Sequence, residues 1–330
     1  MKVGITYDLR EDYEKLGLSA EETAELDTPE TIEAIDRALR LLGFETERIG
    51  RLDSLVQLLS QGTRWDLVFN IAEGLYGFAR EAQIPALLDG YRIPYTFSDP
   101  LILALTLHKG MTKRVVRDLK IPTPDFAVVE NPSDTEKIEL PFPVFAKPVA
   151  EGTSKGISAA GKIMSASELD SICRRLLQKY SQPVLVEAFL PGREFTAGIA
   201  GTGSTARVLG VMEVTLHGDA EPEVYSYENK AQWQDRVQYQ LVSDAAAAEA
   251  AEVSLEVWRG LGCRDGGRVD LRCDAEGRVN FIEVNPLAGL NPRTSDLPII
   301  CRLSGVAYHE LIEMIMVSAL QRSRVGIACG

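Results

Sequence analysis

The apolar pattern changes period along this chain, and the change decides what it can fold into. Near the N-terminus, KVGITY (2–7) and DLVFNI (66–71) are short apolar runs suited to buried strands. Between them Ile32, Ile35, Leu39 and Leu42 recur at helical spacing. Asp27, Pro29 and Glu30 supply an N-cap acceptor, a proline for the first turn and an acid facing the dipole, and Gly43 closes the helix. FETERI reads as the next strand, so strand–helix–strand alternation predicts an α/β lobe with a largely parallel sheet. Late in the chain the period falls to two. RVLGVMEV and GRVDLRCDAEGRVNFIEVN alternate polar with apolar residues, and DAEG marks the turn of a β-hairpin. That part reads as α+β with an antiparallel sheet.

Between these regions, helices are expected over 82–88 and 101–119, and IPTPDF forces an extended connection. A strand, a small-residue loop and a second strand occupy 142–163; a helix over 166–180 and the apolar strand PVLVEAF (183–189) follow. Further helices are expected over 244–260 and 306–320. A chain of 330 residues is too long for one compact core. The pattern divides it into 1–104, 105–186 and 187–330.

A net charge of −13 argues against a general nucleic-acid binder, which needs basic surface. The five cysteines, Cys173, Cys263, Cys273, Cys301 and Cys329, are scattered with no CxxC pair, and free thiols in a reducing cytoplasm fit them best. His108, His217 and His309 show no metal-ligand spacing. The start MKVGITYDL lacks a signal-peptide core, and no apolar stretch is long enough for a membrane span. A cytoplasmic protein without membrane partners is expected.

Three places carry chemistry. Lys147 followed by EGTSKG (151–156) can cover phosphates, because glycine permits close approach and exposed N–H groups bind anions. A flexible hairpin that binds nothing has the same composition. In the hairpin, Arg268 and Asp270 share one strand face, as do Glu283 and Asn285 on the other strand. If the register matches, one guanidinium and three oxygen-bearing side chains converge, a set suited to Mg²⁺. The alternative is a solvated polar face. PVLVEAFLPGREF (183–195) offers main-chain groups to a base edge and a carboxylate to a ribose, or is merely a buried strand and turn.

In order and spacing these features resemble the ATP-grasp ligases, and within them the D-alanine–D-alanine ligases. The likeness runs from the N-terminal strand through IPALLDGYRIPYTFSDPLILALTLHKGMTK, KPVAEGTSKGI, PVLVEAFLPGREFTAGI and YSYENK to GRVDLRCDAEGRVNFIEVNPLAGL. It implies an ATP-grasp fold, α/β and α+β, with a Rossmann-like N-terminal domain and a nucleotide clamped between the two later domains. Lys109 and Lys147 would bind ATP phosphates, under a loop carrying Thr153 and Ser154. Glu187 and the backbone of Ala188, Phe189 and Leu190 would hold adenine, and Glu194 the ribose. Lys230 would reach the phosphates from a mobile loop. Asp270, Glu283 and Asn285 would hold two Mg²⁺ ions, with Mn²⁺ able to replace them, and Arg268 and the Gly289 amide would stabilise an oxyanion. The implied reaction joins two D-alanines through an acyl phosphate, releasing ADP and phosphate, in a homodimeric enzyme acting on small amino acids. Alternatives are a related ligase for other carboxylates and amines (dipeptide, depsipeptide or mycosporine-type) and a regulatory nucleotide-binding protein without turnover.

The likeness weakens at the amino-acid site. Asp27 stands for the Glu expected before the first helix, Thr153 for a loop Ser, and Ala231 for a Tyr after the mobile-loop Lys. FNIAEG, with Asn70 and Glu73, replaces a His-Gly pair, and Arg293, Ser295 and Leu297 approximate the group that grips the second carboxylate. Ala231 cannot make the hydrogen bond of the missing hydroxyl. Losing one buried partner costs about 1–3 kcal/mol, so Ala231→Tyr is expected to raise kcat/KM for D-alanine by roughly 5- to 150-fold. A native enzyme already efficient with D-alanine, and unimproved by the added Tyr, would make the substitution irrelevant.

Overall fold

In the computed structural model, which describes residues 1–152, 155–156, 161–216 and 237–328, the opening apolar run forms β1 (Lys2–Thr6). It lies between β2 (Glu45–Gly50) and β3 (Leu67–Asn70), parallel to both, in the order β2-β1-β3. A short α1 (Arg10–Glu14) precedes α2 (Pro29–Leu41), which buries Ile32, Ile35 and Leu39. The cap of α2 is Thr28, one residue later than expected. Asp27 is still extended: its N–H donates to the Asp8 carbonyl, and its carbonyl accepts from Arg10 N–H. An unanticipated α3 (Leu52–Ser60) links β2 to β3, burying Leu55 and Leu59 one turn apart.

After α4 (Gln83–Gly90), the single helix expected over 101–119 is two, α5 (Pro100–Leu107) and α6 (Lys109–Asp118). The break has a specific cause. Lys109 N–H bonds the Val149 carbonyl at 2.9 Å, outside the helical ladder, and the His108 ring accepts from Met111 N–H to cap the new helix. The restart delivers Lys109 and Lys113, four residues apart, to the protein interior.

The second sheet is antiparallel, in the order β4-β7-β5-β6, from β4 (Phe126–Val129), β5 (Val144–Pro148), β6 (Lys162–Ile163) and β7 (Val184–Ala188). Helix α7 (Ala166–Tyr180) covers it with Leu169, Cys173 and Leu176. The third sheet has the order β10-β9-β8-β11-β12, from β8 (Glu194–Ala200), β9 (Arg207–Leu216), β10 (Val237–Leu241), β11 (Gly266–Cys273) and β12 (Val279–Asn285). Helix α8 (Ala245–Leu261) packs on it through Trp258, and Gly267 makes that approach feasible: a Cβ there would stand 2.7 Å from the indole.

Two helices end the fold, α9 (Asp296–Leu303) and α10 (Tyr308–Ala328). Leu311, Ile312 and Ile315 of α10 enter one cluster with Val3, Ile5 and Ile35, so the chain's two ends share a core. The expected divisions at 104/105 and 186/187 fall inside α5 and β7 rather than in connections. Among the described residues no single helix is long and apolar enough to cross a membrane. Cys173, Cys263, Cys273 and Cys301 are free and buried.

Asp265 joins the parts. It is fully buried and accepts from Phe97 N–H at 2.7 Å, from Ser318 Oγ at 2.7 Å and from Arg322 Nη2 at 2.6 Å. Removing one side of a buried charged pair costs about 3–5 kcal/mol, so Asp265→Ala is expected to lose that much unfolding free energy in urea titration. A loss within the scatter of surface substitutions, about 0.5 kcal/mol, would show that Asp265 does not hold the lobes together.

Candidate active site

Strands β11 and β12 pair with Arg268 opposite Asn285 and Asp270 opposite Glu283. Alternation therefore brings all four side chains to one face, as the register condition required. A bulge follows Asp270, after which Leu271 pairs with Phe281. The Arg268 guanidinium bonds the Asp270 carboxylate and lies 3.5 Å from Asp296. Thr196 Oγ1 donates to Asp270 at 2.9 Å, and Lys109 Nζ stands 3.3 Å from Glu283. Burial pushes the Asp270 carboxyl up to about 6; Arg268 pulls against it, while Glu283 and Asp296 add to it. Burial acts the same way on Glu283, but Lys109, Lys147 and Arg268 outweigh it and hold that carboxyl well below the usual range.

Behind this face lies a buried ion cluster. Lys147 Nζ is 2.6 Å from Glu187 and Lys113 Nζ is 2.9 Å from it, with all three side chains almost fully enclosed. Burial raises Glu187, yet Lys113 and Lys147 bring it down to about 2. Such a carboxylate stabilises the fold above its ordinary pKa of 4.5 and loses that contribution as pH falls toward 2. For Lys113 burial wins over Glu187, and its ammonium falls to about 8. Past Glu187, the N–H groups of Ala188 and Phe189 are bonded to the Asp125 and Pro143 carbonyls. Leu190 is buried, the Phe189 ring takes Lys162 at 4.4 Å, and Glu194 lies 3.4 Å from Arg272.

In front of the hairpin is a cleft of about 450 Å³ between the N-terminal lobe and the loop after β12. Asp27, Lys109, Arg268, Glu283, Gly289 and Ser295 all line it, so the sequence's candidates meet there from distant positions. Gly289 is needed where it stands: a Cβ would lie 2.8 Å from Ser295 Oγ. Burial pushes Asp27 up to about 7, with the Thr31 hydroxyl pulling against it.

Arg293 does not line the cleft: it is exposed and pairs with Glu30 at 3.0 Å, although Asn291 and Thr294 of the same turn do line it. Lys147 and Glu187 also stay behind the cleft, occupied with each other. Thr153, Ser154, Lys230 and Ala231 lie outside the described residues.

Sequence reasoning missed three participants. Lys113 had a signal, its helical spacing from Lys109. Glu25 and Arg80 had none, since isolated charges read as surface. In the fold they pair at 2.8 Å; Glu25 also accepts Gly152 N–H at 2.5 Å, and Arg80 donates to the Ala150 carbonyl at 2.9 Å.

Among the described residues no three His, Cys, Asp or Glu side chains gather into a metal cluster. The candidate set is two carboxylates and an amide, all hard oxygen donors. Asp270, Glu283 and Asn285 share one enclosed face of the hairpin, with burial first and then Glu283 and Asp296 raising the Asp270 carboxyl against Arg268, so the donors fit Mg²⁺.

A family profile described as D-ala D-ala ligase C-terminus matches residues 115–317. The D-alanine–D-alanine ligase of Aquifex aeolicus is 32% identical over 288 residues, covering 87% of this chain and 93% of that one. The Bordetella petrii ligase of the same name is 32% identical over 81% of this chain and 79% of its own length. In structure, the Bacillus anthracis D-alanine–D-alanine ligase complexed with ATP aligns with a TM-score of 0.74 over 99% of both chains at 19% identity, a likeness of fold. With the profile and both relatives spanning most of its length, the chain belongs to the D-alanine–D-alanine ligase family.

Proposed function

We propose that this chain is an ATP-dependent carboxylate–amine ligase that performs D-alanine–D-alanine ligase chemistry. The observation that carries the reading is the convergence of Arg268, Asp270, Glu283 and Asn285 on one hairpin face beside Lys109, at the wall of a substrate-sized cleft. A carboxylate oxygen of the first amino acid attacks the terminal phosphorus of ATP, and ADP leaves. The amine nitrogen of the second attacks the acyl carbon, phosphate departs, and nitrogen gives up a proton. Protein groups position and neutralise charge; no protein nucleophile takes part.

Arg268 and the Gly289 N–H would face the oxygen that gains charge in the second step. Lys109 and Lys147 would take phosphates, together with Thr153, Ser154 and Lys230. Glu187 and the Ala188–Leu190 backbone would receive adenine, and Glu194 the ribose. Asp270, Glu283 and Asn285 would hold Mg²⁺, which supplies charge neutralisation to the phosphates. Asp27 and Ser295, lining the cleft, would contact amino acids. The chain would form three domains, 1–104, 105–186 and 187–330, the divisions as drawn falling within α5 and β7. ATP as cosubstrate and buried free thiols suit the cytoplasm.

Glu283→Gln removes a charged ligand and is expected to lower ATP-dependent phosphate release by about a hundredfold or more, with the fold retained. Near-native release would sink the hairpin assignment.

Lys147→Ala is expected to weaken ATP binding in calorimetry and also to destabilise the protein by about 3 kcal/mol, because Glu187 then keeps only Lys113. Unchanged ATP affinity would remove Lys147 from the nucleotide site. Unchanged stability would show that the enclosed pair contributes nothing to the fold.

A further inference from the structure

Joining two amino acids consumes one carboxylate and leaves another, so the cleft has to hold an anion that does not react. A carboxylate taken from water into an enclosed space needs a charged partner there. Arg293, expected to grip it, does not line the cleft and is paired with Glu30. Four cationic side chains do line it: Arg10, Arg80, Lys109 and Arg268. Arg80 is paired with Glu25, Lys109 with Glu283, and Arg268 with Asp270 and Asp296.

Arg10 is held differently, by neutral acceptors alone. Its Nε donates to the Thr23 carbonyl at 3.3 Å, and its Nη2 donates to the Ala24 and Leu26 carbonyls at 3.0 and 3.5 Å. Among the described residues it has no ion pair, and no acceptor is bonded to Nη1. Carbonyls fix a guanidinium without cancelling its charge, and the unused edge keeps the fork that matches a carboxylate.

The backbone puts this group on the same wall as Ser295. Leu9 bridges Asp27, and Arg10 N–H bonds the Asp27 carbonyl at 2.9 Å. Next along that segment, the Thr28 and Thr31 hydroxyls accept from Asn291 Nδ2 at 3.5 and 3.2 Å. Asn291 N–H in turn bonds Ser295 Oγ at 3.0 Å. One side of the cleft therefore runs from Arg10 through Asp27 and Asn291 to Ser295, all of which line it.

We propose that Arg10 binds the substrate carboxylate that is not phosphorylated, either the α-carboxylate of the second amino acid or a carboxylate on a side chain. The inference rests on the ligase reading above. It leaves Lys109 and Arg268 to the reacting end of the same cavity.

The test sets acids against their amides as competing second substrates, with products counted by mass spectrometry. One mixture holds ATP with equal D-alanine and D-alaninamide; the amide has an amine but no carboxylate, so it can enter only second. The other holds ATP and D-alanine with equal aspartate and asparagine, and all amino acids are supplied in D and L form. In the native enzyme one of the two mixtures is expected to favour the acid by about tenfold or more, and in Arg10→Gln that ratio is expected to fall to about one. A fall with alaninamide assigns the α-carboxylate to Arg10, and a fall with asparagine assigns the side-chain carboxylate. If Arg10 only braces the segment from Thr23 to Leu26, the substitution slows acid and amide alike; unchanged ratios in both mixtures overturn the proposal. So does a native enzyme with no preference for the acid in either. Should Arg10→Gln not fold, Arg10→Met, which keeps the length of the stem, carries the same comparison. Absence of phosphate release with every amino acid, while calorimetry shows bound ATP, removes the ligase reading and the proposal with it; products formed in unchanged ratio remove only the proposal.

Discussion

The register of β11 against β12 is the constraint on which the site depends. Arg268 faces Asn285 and Asp270 faces Glu283 only in this pairing, and a slip of one residue would send one strand's set to the opposite face. Several features hold the register. The turn at Asp274 is short, closed by Gly277 N–H on the Asp274 carbonyl and opened by Asp274 N–H on Arg278. On its other edge β11 is paired with β8 from Gly266 to Arg272, so it cannot shift without breaking a second ladder. Gly267 sits under Trp258, where any side chain would collide. The bulge after Asp270 then lets the apolar partners below it, Leu271 and Phe281, remain in the core.

Stability alone gives little reason to bury Glu187 between two lysines. Enclosed ion pairs of this kind are often no more stable than apolar replacements, because desolvation cancels much of the attraction. Their value here is position. Lys113 is tied to Thr123 and to the Phe281 carbonyl as well as to Glu187, which links α6 to the first residue-pair below the bulge of the hairpin. Lys147 reaches Glu187 from the neighbouring strand. Both ammonium groups are thus fixed in place by the fold, and an overall charge of −13 does not decide the local field around them.

Legibility followed the range of the forces involved. The hairpin was readable because period-two alternation and a DAEG turn are local, and α7 because its apolar spacing and Ser165 cap lie within one segment. The break at His108 was not, since its cause is a bond from Lys109 to Val149, forty residues on. The cap of α2 moved from Asp27 to Thr28 for the same sort of reason, a backbone pairing of Asp27 with Asp8 and Arg10. No local pattern shows that α10 closes the core around β1. Site residues split likewise: Asp270 and Glu283 were found through strand faces, whereas Glu25 and Arg80 acquire meaning only when the lobes meet, and Arg293 came from the family resemblance, which does not fix where its side chain turns.

That meeting also ties the strand end before the glycine-rich segment to the cleft. Backbone groups at three consecutive residues are held from outside the second sheet: Ala150 by Arg80, Glu151 by the Lys109 ammonium at 2.6 Å, and Gly152 by Glu25. The glycine-rich segment therefore departs from a point anchored on the N-terminal lobe and on α6, not from a free strand end. Lys155 adds contacts at 3.1 Å to Glu25, so the acid that faces the amino-acid cleft also grips the segment beyond it. A charge entering beside Glu25 acts on the same bonds that hold the backbone at Ala150 and Gly152. Because the bonds are short, enclosed and shared, neither side can move far without the other.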